Sequence, residues 1–113
     1  MIVDKIVKGY VLVVKPQGEL DHHAATTFRA EVDQELNRGI IRHLVLDLSA
    51  LTFMDSSGLG VILGRYRQLA QWRGKMVAFG LQPGVQKVFV LSGLPKLIPV
   101  CNDLASCLGE LEG

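Results

Sequence analysis

Residues 43–60 read HLVLDLSALTFMDSSGLG, and this stretch decides the fold because it joins a buried strand to a helix. Its first part, His43–Leu48, is dense in Leu and Val, which is typical of a strand covered on both faces. A helix is predicted after Asp55, because apolar residues from Leu59 to Ala70 recur at helical spacing. A strand that leads into a helix in this way is the beginning of a β-α-β unit, so the stretch indicates a parallel sheet.

The segments on either side continue the alternation. Two strands, Ile2–Lys8 and Tyr10–Lys15, are predicted to form a hairpin, with Pro16 and Gly18 closing the second one. A helix with Asp21 as its N-cap follows. The remaining elements are predicted as a strand over Met76–Phe79, a helix over Pro83–Ser92, an edge strand over Leu97–Val100 and a helix capped by Asn102.

This order predicts one α/β domain spanning residues 1–113. We expect a single mixed β-sheet of four to five strands, mostly parallel with an antiparallel N-terminal edge, together with four α-helices. The carboxyl ends of parallel strands lie along one edge of such a sheet, where sites in open α/β folds form. Residues 19–21 and 55–58 each follow a strand, so they are predicted to converge there.

Composition excludes several classes of protein. Twelve Lys and Arg against eleven Asp and Glu leave a formal charge of +1, which argues against a nucleic-acid or anionic-membrane binder. The local basic group is interpreted as a solvated helix face and comprises Arg65, Arg67, Arg73 and Lys75. Met1–Lys5 lacks signal-peptide organisation, and Asp47 and Asp55 interrupt the best apolar run, so a cytoplasmic protein is expected.

Two cysteines, Cys101 and Cys107, stand near the C-terminus. Their spacing is not that of a zinc site, and no second pair completes one. Six positions apart on a helix, they would lie on different faces, so we expect reduced, packed thiols rather than a bridge.

Asp55-Ser56-Ser57-Gly58-Leu59-Gly60 is the segment that carries the chemistry. A serine at the start of a helix is exposed, and free backbone N–H groups together with the helix dipole favour a phosphate there. That phosphate would lie close to Asp55 and Asp21. Because phosphorylation adds about −1.5 to −2 charges, it is expected to weaken binding to a partner that brings no cation.

Three glycines, Gly58, Gly60 and Gly64, stand in the helix after Asp55 although an interior helical glycine costs about 0.5–1 kcal/mol relative to Ala. Ser56, Gly60 and Gly64 are spaced i, i+4, i+8 and form a lane of small residues. Two interpretations are open. The lane packs tightly on its own sheet, or it is a flat docking surface beside the serine.

Other motifs are incomplete. A serine hydrolase would need G-x-S-x-G at this turn, and a triad drawn from three scattered histidines is weakly supported: His22, His23 and His43. Gly58–Gly64 has its third glycine one residue too late for a dinucleotide loop, and a Walker A pattern is absent. Adjacent His22 and His23 point to different helix faces, which disfavours a metal site. We therefore predict no catalytic residue, no metal and no cofactor.

Three segments together resemble a known family: Gly18-Glu19-Leu20-Asp21-His22-His23, Phe53 to Gly60, and Ser92-Gly93-Leu94. They are similar to the STAS domains of anti-sigma factor antagonists, and in particular to the anti-sigma F factor antagonists of sporulation. The resemblance covers nearly the whole chain, and its central motif is highly specific.

The resemblance implies a partner-switching protein that is not an enzyme. The unphosphorylated form would bind an anti-sigma factor that is also its serine kinase, and a PP2C-type phosphatase would reverse the modification. The acceptor would be Ser56, with Ser57 as runner-up because physical reasoning places Ser57 farther from the core. The predicted partner-binding residues are Asp21, Asp55, Ser56, Ser57, Gly58, Leu59, Gly60 and Gly64. The alternatives are a STAS module of a general-stress or other pathway and a small nucleotide-binding domain.

Overall fold

Strands and helices alternate along the chain, and the computed structural model describes them over residues 1–112. In chain order they are β1 (Ile2–Lys8), β2 (Val11–Leu20), α1 (His22–Leu36), β3 (His43–Asp47), β4 (Leu51–Met54), α2 (Ser56–Ala70), β5 (Met76–Phe79), α3 (Pro83–Leu91), β6 (Val100–Cys101) and α4 (Leu104–Glu112). A short 3-10 turn over Leu94–Lys96 precedes β6. Of the helices in residues 1–112, none combines the length and the apolar character needed to span a membrane.

The strands form one mixed sheet in the order β1-β2-β3-β5-β6. β1 runs antiparallel to β2, and β2, β3, β5 and β6 pair in parallel. β4 pairs in parallel with the far end of β2, beyond the residues that pair with β3. The predicted class, a mixed sheet with an antiparallel N-terminal edge and four helices, is confirmed.

The core follows the alternation of side chains along the strands. Leu12 and Val14 of β2 face α1, α2 and α3, with Phe28 and Phe89 as the largest buried side chains on that face. Val13 points to the other face, which α4 covers. Because both faces of the central strands are covered, their uninterrupted apolar sequence is explained.

β4 was not predicted, so the sheet has six strands rather than four to five. The same pairing lengthens β2, which continues through Pro16 and Gly18 instead of ending there. Pro16 pairs with Val3 and lies between the residues that pair with β3 and those that pair with β4, where a missing N–H is tolerated. Gly18 has a φ of +96° at the register shift that turns β2 toward β4.

The last strand begins three residues later than predicted, at Val100 rather than Leu97. The 3-10 turn and a hydrogen bond from the Ile98 N–H to the Leu94 carbonyl oxygen (2.8 Å) occupy the predicted start of that strand. Cys101 therefore lies on β6 and Cys107 on α4, so the argument that placed both on one helix was wrong. Burial, together with the neighbouring Cys101 thiol, raises the pKa of Cys107 to about 12.

Candidate functional site

The two predicted loops meet at the carboxyl edge of the sheet. Leu20 and Met54 pair at the ends of β2 and β4, and the Asp55 N–H donates to the Leu20 carbonyl oxygen at 3.4 Å. Asp21 and Asp55 therefore follow adjacent strand ends and begin adjacent helices. The predicted convergence of these loops is confirmed, although the strand before Asp55 is β4 rather than β3.

Both aspartates cap a helix. The Asp21 carboxylate accepts a hydrogen bond from the Ala24 N–H at 2.9 Å. The Asp55 carboxylate accepts two, from the N–H groups of Ser57 (2.9 Å) and Gly58 (3.1 Å). The expectation that free N–H groups face the serine was therefore wrong for these two donors. A phosphate on this turn meets a carboxylate that already occupies the helix terminus.

The two serines differ in exposure. Ser56 is exposed, whereas Ser57 is half-buried and its hydroxyl oxygen lies 3.5 Å from Nδ1 of His22. The expectation that Ser57 points farther from the core was wrong. His22 was not among the predicted partner-binding residues, because its closeness to Ser57 depends on how α1 and α2 lie side by side.

The structure separates the glycines of α2 into two kinds. A Cβ on Gly58 would collide with the Leu20 carbonyl oxygen and lie 2.8 Å from Cγ of Met54, so Gly58 lets α2 approach the strand ends closely. A Cβ on Gly60 or Gly64 would meet nothing within 4 Å. Tight packing on the sheet therefore explains Gly58, while Gly60 and Gly64 lie on an open surface. Leu59, between Gly58 and Gly60, is partly buried against the core.

No hydrolase triad is assembled in residues 1–112. The ring of His22 contacts the ring of His23 and has no carboxylate partner there. His43 lies at the opposite end of β3, where its Nδ1 accepts a hydrogen bond from the Lys75 N–H at 2.9 Å. Burial lowers the pKa of His43. Within the same described range, no cluster of His, Cys, Asp and Glu side chains is arranged to hold a metal ion.

One aromatic side chain beside the site was also missed. Phe53 on β4 is 46% exposed and stands three residues before Ser56. An aromatic ring on this surface adds apolar area that a protein partner can cover. Its exposure could not be predicted, because the stretch that contains it had not been recognised as a strand.

The cap at Asp21 leads to a testable pH dependence. The hydrogen bond from the Ala24 N–H lowers the pKa of Asp21 below its ordinary value of 3.8. A carboxyl with a depressed folded pKa stabilises the protein above its unfolded pKa and loses that contribution as the pH falls through the folded value. Asp21→Asn keeps a capping side chain, so we expect it to fold and to lose this part of the acid dependence. An NMR titration of Asp21 at or above 3.8 would contradict this assignment.

The chain is similar to known proteins over nearly its whole length. Residues 3–107 match the family model described as the STAS domain. The anti-sigma F factor antagonist of Paenibacillus polymyxa is 44% identical over 102 residues, which cover 90% of this chain and 87% of that protein. The anti-sigma-B factor antagonist of Listeria monocytogenes is 33% identical over 97 residues, covering 85% of this chain and 80% of the relative.

Among solved structures, the anti-sigma factor antagonist SpoIIAA in its unphosphorylated form superposes with a TM-score of 0.85. It is 31% identical, and the match covers 99% of this chain and 97% of that one. The phosphorylated form of the Bacillus cell fate determinant SpoIIAA gives a TM-score of 0.74 at 31% identity, covering 94% and 96% of the two chains.

Proposed function

The chain belongs to the STAS domain family, and on that premise we propose that it is an anti-sigma factor antagonist inactivated by phosphorylation of Ser56. The unphosphorylated protein binds an anti-sigma factor that is also its serine kinase, and this frees a sigma factor for transcription. The kinase then modifies Ser56, and a PP2C-type phosphatase restores the active form. The protein acts in the cytoplasm as a binding partner rather than as an enzyme.

The observation that carries this proposal is the exposed hydroxyl of Ser56 directly after the Asp55 cap. The Asp55 carboxylate already occupies two donors of the helix terminus, and Asp21 caps the adjacent helix. A phosphate on Ser56 adds about −1.5 to −2 charges to this acidic edge. A partner that fits the bare serine would then have to bury an unpaired dianion, which is unfavourable.

The surroundings of Ser56 suit a protein partner. Phe53 supplies exposed apolar area on β4, three residues before Ser56. Apolar area beside a small polar centre is the usual composition of a protein interface. Asp21 at the neighbouring strand end lies within the same surface and is assigned to contact with the kinase.

Phosphate mapping tests the acceptor. We expect incubation with ATP and the cognate anti-sigma kinase to add one phosphate, which mass spectrometry places on Ser56. Ser56→Ala should remain unmodified, and Ser57→Ala should be modified normally because Ser57 is half-buried beside His22. Modification of Ser57, or of neither serine, would overturn the assignment.

A charged substitution tests the switch in the same assay system. Ser56→Glu should weaken binding of the anti-sigma factor about 5- to 150-fold, the range typical of coupled regulatory events. Ser106→Glu is a matched control, since it places the same charge on an exposed helical serine of α4, on the other face of the sheet. Melting curves of both variants report whether the fold is intact.

A small nucleotide-binding domain is the alternative of another class. The concavity beside Asp21 has a volume of about 470 Å³, and Glu19 and Asp21 line it. Two carboxylates repel the phosphates of a nucleotide, which favours the partner-switching proposal. Calorimetry with ATP and GTP separates the two functions, because a nucleotide-binding domain should release heat in the absence of any protein partner.

The pathway can be assigned by partner choice. We propose a role in sporulation, since the relative at 44% identity is an anti-sigma F factor antagonist. A general-stress role is the alternative, supported by the anti-sigma-B factor antagonist at 33% identity. Neighbouring genes for an anti-sigma kinase and its sigma factor would identify the pathway, and a binding comparison of the two kinds of kinase would test it.

A further inference from the structure

A cleft of about 380 Å³ separates the outer surfaces of α1 and α2. Gly60 and Gly64 line it from α2, and Arg29 lines it from α1. Arg65 of α2 also lines the cleft, although it was predicted on a solvated helix face and is only 9% exposed. Helical spacing places the cleft glycines on the same flank of α2 as Ser56, so the cleft continues the surface assigned to the switch.

The glycines of the cleft are not needed for packing within the chain. A Cβ at either position would lie in open space, and neither residue has a positive φ that would require glycine. Alanine would serve the helix better at both positions. Glycine here keeps the cleft open, which allows the backbone of another helix to approach α2 closely.

The charges in the cleft are unbalanced. Nε of Arg65 lies 3.1 Å from one carboxylate oxygen of Asp33, and Nε of Arg29 lies 3.7 Å from the other. Two guanidinium groups therefore share one carboxylate. Nη1 of Arg65 is buried without a hydrogen-bond partner. Arg29, whose side chain is 67% exposed, is the guanidinium that an incoming group can reach, and the net positive charge of these three side chains favours an anionic group.

We infer that this cleft seats a helix of the partner protein, and that an acidic side chain of that helix pairs with Arg29 and Arg65. The occupant is assigned from charge complementarity, from the glycine floor and from the continuity of the cleft with Ser56. The inference rests on the proposed function, because the partner is taken to be the anti-sigma factor. A second carboxylate would give two cations and two anions in the cleft.

Binding of the cognate anti-sigma factor to four variants tests the cleft. Gly64→Leu places a bulky side chain in the cleft and should weaken binding at least about tenfold. Arg29→Gln should weaken binding about fivefold and reduce the salt dependence of binding. Gly109→Leu on α4 is the control for the first variant, since a Cβ there also meets nothing within 4 Å. Arg67→Gln on the exposed side of α2 is the control for the second. Both controls should bind like the wild-type protein.

Charge reversal identifies the acidic residue directly. Arg29 is 67% exposed, so Arg29→Glu should fold normally and lose affinity. Acidic residues of the anti-sigma factor are then replaced by Arg one at a time, and one replacement should restore binding to Arg29→Glu.

The two proposals fail differently. Cleft variants that bind like wild type, while Ser56→Glu binds weakly, would overturn the inference and leave the proposed function standing. Absence of binding by the wild-type protein would overturn both.

Discussion

Gly58→Ala is expected to lower the free energy of unfolding by about 3 kcal/mol, because overpacking of this contact leaves no room to relax. The new Cβ would collide with the Leu20 carbonyl oxygen and crowd Cγ of Met54 at 2.8 Å. The carbonyl is backbone at the end of β2, where it also accepts the Asp55 N–H, so it cannot move aside as a flexible side chain would. Urea denaturation measures the effect as a lower midpoint at an unchanged slope.

Gly60→Ala is the matched control for this prediction. Its Cβ would meet nothing within 4 Å, so replacement should raise stability by about 0.5–1 kcal/mol through helix propensity alone. Equal stability of the two variants would show that α2 does not press on the strand ends as the structure describes.

Gly58→Ala should also disturb the phosphorylation switch at Ser56. The Gly58 N–H donates to the Asp55 carboxylate, which also holds the Ser57 N–H. Displacing this turn moves Ser56 relative to both aspartates, so a folded fraction of Gly58→Ala is expected to be a poor substrate for the kinase.

Asp33→Ala should lower the free energy of unfolding by about 3 kcal/mol, since it leaves a buried guanidinium without its carboxylate. Arg65 is 9% exposed, and its pKa is lowered by burial, while Asp33 favours its charged form. Removing Asp33 also exposes Arg65 to repulsion from Arg29. This expected loss lies at the low end of the range for breaking a buried ion pair. The reason is that the Asp33 side chain is 24% exposed and water screens part of the interaction.

Two controls distinguish the cost of leaving Arg65 unpaired from the net contribution of the Asp33–Arg65 pair to the free energy of unfolding. The double variant Asp33→Leu/Arg65→Met removes both charges and should recover most of the lost stability, since apolar replacements of buried pairs are often neutral. Arg38→Ala breaks a surface contact with Glu35 and should change stability by less than about 1 kcal/mol. Thermal and urea denaturation of all three variants checks the expectation; a double variant as unstable as Asp33→Ala would contradict it.

Much of the fold could be predicted because most of its elements are specified by local sequence patterns. The continuous apolar run of β2 and β3, and the polar cap before each of α1 and α2, are signals that lie within one segment of chain. β4 escaped prediction because two of its four residues are exposed and its strand character comes from pairing with Gly18–Leu20, more than thirty positions away in sequence. The same long-range pairing carries β2 past a proline that would otherwise end it.

The site was predicted in outline, and its details were not. Parallel topology alone brought Asp21 and Asp55 together, as the structure confirms. Ser57 was predicted to point farther from the core than Ser56, and the structure shows the opposite. The exposure of Ser57 depends on the side chain of His22 from the neighbouring helix. Arg65 was placed in solvent, although α1 supplies the aspartate that pairs with it.

The amino-acid sequence by itself determined the α/β class, the order of most elements and the serine at a helix start, because periodicity, capping and the handedness of crossovers act over short distances. Only the tertiary structure decided which glycine of α2 packs tightly against the strand ends and which is exposed, which arginine is buried and which serine is accessible. These properties belong to surfaces contributed by two elements, and no single segment of the chain contains both halves of such a contact.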